Sequence, residues 1–323
     1  MKILFITSTR IGDAVLSSGL LDHVIRSYPG ARLTIACGPA AAPLFAALPG
    51  LEQVIVMTKR PYGLHWFDLW RQVAATAWTL VVDLRASALA WMVIAGERRV
   101  FRPRPSERIH RMHQLARLFD LAEPPAPKLW TLSSHEAAAA GLIPNGPVLA
   151  IGPTANWIGK TWRAERFAQV VERLTQPGGI LPGASVAVFG APSEREAARP
   201  VLEAIPPARR IDLVGTVDLL TATACLRRCA LYIGNDSGLM HLAAAAGIPT
   251  LGLFGPSRPE NYAPWGPHGA VARTTIAYDD LFAPGYDHCN TDSLMDSLPL
   301  DAVVEAAESL WRRGRAQSGQ GGI

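Results

Sequence analysis

The chain has 323 residues, 49% of them hydrophobic and 18% charged, with 28 glycines, 26 prolines and a formal net charge of +4. That is enough apolar material for two cores of ordinary size, and it excludes a disordered chain. No uncharged apolar stretch reaches the roughly 18–20 residues of a spanning helix. The apolar opening at residues 3–6 meets Thr7-Ser8-Thr9-Arg10 too soon for a signal peptide, so the expectation is a soluble, cytoplasmic protein.

In chain order, residues 2–7 read as a strand. Residues 13–27 read as a helix, with Ala14, Leu16, Leu20, Leu21, Val24 and Ile25 on one stripe. A strand at 33–37 leads through Gly38-Pro39 into an alanine-rich segment, read as a helix up to Leu48. Strands at 54–57 and 80–83 bracket a Trp-rich segment, 66–78, also read as helical. Turn formers crowd 141–147, which places the linker there and divides the chain into domains 1–145 and 146–323. The second series has strands at 148–151, 185–189, 211–214, 231–233 and 250–253, and helices near 164–175, 193–204, 217–228 and 238–246. A last helix near 301–313 is expected to pack back on the first domain. Strands that are apolar throughout and alternate with helices indicate parallel sheets covered on both faces. The expected fold class is therefore α/β, two doubly wound Rossmann-like domains facing each other across a cleft.

Charge is uneven. Residues 1–145 carry 16 Lys+Arg against 10 Asp+Glu, whereas residues 146–323 carry 15 against 17. The excess peaks at Arg98, Arg99, Arg102, Arg104, Arg108, Arg111 and Arg117. That row is either a solvated face or a surface for an anionic partner such as a phosphorylated lipid or the membrane surface. No nucleic-acid module accompanies it, so no nucleic-acid partner is expected. The cysteines, Cys37, Cys225, Cys229 and Cys289, form no paired framework, and Cys225 and Cys229 read as buried apolar residues before they read as zinc ligands.

Three segments carry chemistry. Thr9-Arg10-Ile11-Gly12-Asp13 follows the first strand, at the sheet edge where ligands are met, although Asp13 could simply cap a helix. The spacing lacks the second and third glycines of a dinucleotide fingerprint. Gly152-Pro153-Thr154-Ala155-Asn156-Trp157-Ile158-Gly159-Lys160-Thr161 follows the second domain's first strand. Its Gly-Lys-Thr is not a phosphate loop, because six residues separate Gly152 from Gly159 where that loop needs four. Lys160 can still neutralise a phosphate as a point charge. In Gly234-Asn235-Asp236-Ser237-Gly238-Leu239-Met240-His241, a strand runs into a polar cluster at a helix start, with His241 one turn on from Ser237. Free backbone N–H groups there suit a diphosphate, and an ordinary helix cap with a surface histidine is the plainer alternative.

These segments together, "STRIGDAVLSSGLL", the Gly152–Trp162 loop and "GNDSGLMHLAAAAGIPTLGLFGPSRP", resemble glycosyltransferase family 9, the heptosyltransferases of lipopolysaccharide assembly. The resemblance runs in order through nearly the whole chain. It implies a GT-B fold and inverting, metal-independent transfer from a nucleotide sugar, ADP-heptose by default, to an anionic envelope glycolipid. No cofactor is implied, and the enzyme would work at the inner face of the cytoplasmic membrane. By position it implies that Asp13 is the general base and that Thr9, Arg10 and Gly12 shape the acceptor side. Thr154, Lys160, Glu194, Asp236, Ser237, Gly238 and His241 would bind the donor. Other classes left open by the residues are a nucleotide-sugar epimerase or hydrolase on the same fold and a non-catalytic nucleotide-sugar-binding protein.

Overall fold

A computed structural model of the chain describes residues 1–102, 107–282, 285–287 and 291–319. The chain divides into two compact units, the first ending at Leu132 and the second beginning at Ser133.

In the first unit, β1 (Lys2–Ile6) leads to α1 (Ile11–Ser27), followed by β2 (Arg32–Cys37), β3 (Leu51–Val56), α2 (Leu64–Val73), β4 (Trp78–Asp83), β5 (Ala95–Val100) and α3 (Arg111–Ala116). All five strands are parallel, in the order β3-β2-β1-β4-β5. β1 is central, and Ile3, Leu4, Phe5 and Ile6 are fully buried because helices cover both faces of the sheet. α1 is held down by the segment after α3. A Cβ at Gly19 would collide with the Pro125 carbonyl, Ser18 Oγ accepts the Lys128 N–H at 2.9 Å, and Lys128 pairs with Asp22 at 2.8 Å. Two readings of this unit need correction. The alanine-rich segment before Leu48 forms only a 3-10 turn, Ala42–Phe45, because Pro39, Pro43 and Pro49 remove the N–H groups a longer helix requires. The Trp-rich stretch stops being helical at Val73, and Trp78 already belongs to β4.

The second unit opens with α4 (Ser133–Leu142), followed by β6 (Val148–Gly152), α5 (Ala164–Thr175), β7 (Ser185–Gly190), α6 (Arg195–Ala204), β8 (Arg210–Val214), α7 (Leu219–Arg227), β9 (Leu231–Asn235), α8 (Gly238–Ala245), β10 (Thr250–Phe254), the short α9 (Pro259–Tyr262), β11 (Gly269–Arg273) and α10 (Leu300–Gly319). Its six parallel strands run β11-β10-β9-β6-β7-β8. The division falls before α4 rather than at 145/146. α4 packs on α7, where Glu136 meets Arg227 at 2.7 Å, so the turn-rich 141–147 stretch is a bend inside the second unit. α10 buries Val303, Val304, Ala307 and Leu310 in the second unit's own core, beside Trp162, Phe167 and Leu251.

Both sheets reverse direction at one place, between β1 and β4 in the first and between β6 and β9 in the second. At such a switch point the loops leaving adjacent strands diverge and open a crevice at the carboxyl ends, where doubly wound sheets bind ligands.

Candidate functional site

The first unit's switch point holds Asp13. The residue lies in the first turn of α1 and is not its cap. That position belongs to Arg10, whose side chain makes no capping bond, so the plain helix-cap reading fails. The Asp13 carboxylate is only lightly engaged, accepting a long 3.4 Å contact from Ser8 Oγ. It lines a cavity of about 220 Å³ together with Thr7, Ser8, Ser17, Arg85 and Arg111. Gly12 is half-buried beside Asp13 in that first turn, and Thr9 and Arg10 are exposed just before it.

Arg85 and Phe101, also on this cavity, were not read from the sequence. Arg85 lies just beyond β4, and β4 becomes β1's neighbour only through the strand order. The adjacent Asp83 is fully buried. It accepts the Arg85 and Ser87 backbone N–H groups, each at 2.8 Å, and the Ser87 hydroxyl at 2.6 Å, which fixes the loop. Arg111 stacks 4.0 Å above the Phe101 ring.

The arginine row is not one surface. The Arg98 guanidinium is engaged by three backbone carbonyls, those of Ala90, Val93 and Ala95, at 2.8–3.1 Å. It therefore braces the edge of the sheet. Arg99 bonds Glu97 at 2.7 Å and the Leu118 carbonyl at 3.0 Å. The Tyr28 hydroxyl, with Arg99, holds the Glu97 carboxyl below its ordinary range against the opposing effect of burial. Arg117 pairs with Glu107 at 2.6 Å. Arg98, Arg99, Arg102 and Arg117 line a second cavity of about 330 Å³, and Arg108 is exposed. Among the described residues of the row, Arg111 alone lines Asp13's cavity, and Arg104 lies outside the described residues.

The second unit's switch point gathers the other segments. Asn235, fully buried at the end of β9, donates to the Pro153 carbonyl at 2.8 Å and accepts the Trp162 N–H at 3.1 Å. One amide thus ties both ends of the 152–162 loop to the strand. Lys160 Nζ meets Asp236 Oδ2 at 2.5 Å, with the lysine side chain 25% exposed and the aspartate 7%. The loop is braced from outside by residues 291–298. Ser293 Oγ donates to the Thr161 carbonyl at 2.7 Å, and Arg163 forks onto Asp292 and Asp296. Arg163 in turn holds both carboxyls below their ordinary range. The neighbouring stretch with His288 and Cys289 lies outside the described residues.

Ser237 and Gly238 open α8, and buried His241 lies one turn on with its ring 6.5 Å from that of Tyr262. Glu194 accepts the Ala191 N–H at 2.7 Å, which places its carboxylate over the end of β7. Thr154 is buried in the loop after β6. The Thr154, Ser237 and Tyr232 hydroxyls are buried and complete no hydrogen bond among the described residues. Hydroxyls, an ammonium and a helix start make a donor-rich surface suited to an anionic ligand. Cys225 and Cys229 stand apart from it and are buried, and burial raises their thiols to about 11 and about 12.

A family model, glycosyltransferase family 9 (heptosyltransferase), matches residues 67–279. Lipopolysaccharide heptosyltransferase 2 of Salmonella typhimurium is 25% identical, over 96% of this chain and 98% of that protein. Lipooligosaccharide heptosyltransferase 2 of Haemophilus influenzae is 24% identical, over 84% and 88%. Among solved structures, a family 9 glycosyltransferase from Veillonella parvula superposes with a TM-score of 0.76 at 20% identity, covering 97% of both chains. The Escherichia coli ADP-heptose lipopolysaccharide heptosyltransferase II gives 0.74 at 21% identity, covering 98% of this chain and all of that one. The two Rossmann-like units are those of a GT-B fold.

Proposed function

The chain belongs to glycosyltransferase family 9, and from that premise we propose that it transfers a heptose from ADP-heptose to a lipopolysaccharide core or related envelope glycolipid. The observation that carries the donor half of this reading is the second unit's switch point. There the Lys160–Asp236 pair and unpartnered buried hydroxyls surround the start of α8. The names of relatives matched over nearly their whole length support the sugar and the acceptor class.

In the proposed mechanism Asp13 takes the proton of the acceptor hydroxyl as its oxygen attacks the anomeric carbon opposite the diphosphate. The bond from that carbon to the phosphate oxygen breaks and its electron pair leaves on the diphosphate, so the configuration inverts. General-base assistance of this kind is typically worth about 10²–10⁴-fold. Lys160 and the first amides of α8 stabilise the departing charge, and Asp236 keeps the Lys160 ammonium aimed. Neutralisation by these fixed groups lets the transfer proceed without a metal. Arg85 and Arg111, on Asp13's cavity, receive anionic groups of the acceptor. Work at the inner face of the cytoplasmic membrane belongs to the same proposal. The exposed side chains of Trp91, Met92 and Ile94 support contact with a lipid surface.

The test is nucleoside diphosphate release from a panel of nucleotide sugars, ADP-heptose first, with and without truncated core glycolipid. Release that needs both the glycolipid and Asp13 establishes the transfer and names the donor. Release without acceptor that survives Asp13→Ala replaces this reading with a hydrolase or epimerase.

A further inference from the structure

Tyr232 is fully buried in β9, yet its hydroxyl completes no hydrogen bond among the described residues. Buried tyrosines ordinarily find a partner for that group. The phenol lies against Gly234, two residues on and so on the same face of the sheet, and against Gly152, the register partner of Gly234 on β6. A Cβ at either glycine would collide with the phenol oxygen. The two glycines form a slot that carries the side chain along the sheet towards the carboxyl ends of the strands. There the phenol comes under the influence of Ser237 and Glu194. Burial raises its ionisation well above the ordinary range, the Ser237 hydroxyl offsets part of this, and the Glu194 charge adds to it. The phenol therefore keeps its proton and can donate it.

Ser237 is unusual in the same way. It occupies the N-cap of α8 with an extended backbone, φ −147° and ψ 174°, but its side chain caps nothing. A serine there ordinarily accepts a bond from the second or third helical amide.

We propose that Tyr232 is a positioning residue of the donor site. When a nucleoside diphosphate binds, the Tyr232 hydroxyl turns to donate to Ser237 Oγ, so that the Ser237 proton and the first amides of α8 are all directed at one of the ligand's phosphoryl oxygens. A hydroxyl has one proton and two acceptor lone pairs. With Tyr232 filling one lone pair, Ser237 is held off the helix amides, keeps its proton for the ligand, and becomes a stronger donor through the chain of bonds. The inference rests on the donor-site reading above.

Tyr232→Phe keeps the ring in its slot and removes only the hydroxyl. Calorimetric titration of the full-length protein with ADP, and with adenosine as a ligand lacking phosphates, reads the effect. ADP binding is expected to weaken roughly tenfold, the scale of one hydrogen bond to a charged group. Adenosine binding and the thermal midpoint should stay at wild-type values, or the midpoint should rise, because an unpartnered buried hydroxyl has gone. Ser237→Ala should weaken ADP binding similarly, and the double variant should bind no worse than Ser237→Ala alone. Unchanged ADP binding in Tyr232→Phe, equal losses for ADP and adenosine, or additive losses in the double variant overturn the proposal. Failure of the wild-type protein to bind ADP, GDP or UDP at all is a separate result. It removes the donor-site reading and this inference with it.

Discussion

The two switch points are built from the same strand order and are prepared very differently. Asp13 stands in a cavity with one long contact to Ser8. Across the second unit, Lys160 is already paired with Asp236, Asn235 ties the 152–162 loop at both ends, and residues 291–298 brace that loop from outside. Under the proposed mechanism, the difference follows from what each group is asked to do. A general base must exchange a proton with an incoming hydroxyl, and strong hydrogen bonds to its carboxylate would make it a poorer base. Groups that receive a leaving diphosphate gain most from being fixed beforehand, since then no reorganisation accompanies charge build-up.

The largest effect that would sharpen this contrast is at Asp13. Asp13→Asn is expected to lower kcat about 10²–10⁴-fold while leaving ADP affinity within about twofold, read by steady-state release and by titration. A comparable loss of ADP affinity would break the separation between the two sites. Next comes the charge pair. Lys160→Ala should weaken ADP binding about 10- to 100-fold, and Lys160→Ala/Asp236→Ala should cost less than the sum of the single changes, because each partner aims the other.

Asn235→Ala tests the staple. Two buried bonds are lost, and a drop of about 1–3 kcal/mol in unfolding free energy is expected from denaturant titration. A neutral result would mean that the loop is held by the 291–298 brace alone. The smallest effect lies away from both sites, at Asp218, the N-cap of α7, whose carboxylate accepts the Leu220 and Thr221 amides. Burial works against its charge, but the Thr221 and Leu220 bonds win, and its carboxyl is held below the ordinary value of 3.8. Its stabilisation is therefore complete above that value and is lost as pH falls through the lower folded-state one. Asp218→Ala should cost about 1 kcal/mol at neutral pH, and the gap from wild type should close on acidification below pH 4.

Much of the frame was legible because burial on both faces writes itself into short apolar runs such as residues 148–151 and 231–233. β5 and β11 were missed for the converse reason. They are edge strands, Ala95–Val100 carries Glu97, Arg98 and Arg99, and neither strand is apolar throughout. The alanine-rich run before Leu48 misled because composition favoured a helix while its prolines forbade one. In the site, Asp13, Thr154, Lys160, Asp236 and Ser237 stood out as polar residues at strand exits. Arg85 did not, since nothing in Leu84-Arg85-Ala86 marks it until β4 is set beside β1.

The sequence by itself determined the alternation of strands and helices, the two Rossmann-like series, the family resemblance and the loops that carry polar chemistry. All of these are local patterns of burial, turn formation and residue type. Only the tertiary structure decided which loops share a switch point, that Lys160 and Asp236 form a pair, and that Arg98 braces a sheet edge. It also decided that a phenol runs between two glycines on neighbouring strands. Apart from the Arg98 brace, those relations join strands tens of positions apart in sequence, fixed by strand order and register, and no local pattern encodes the distance between groups that meet only when the sheet is assembled.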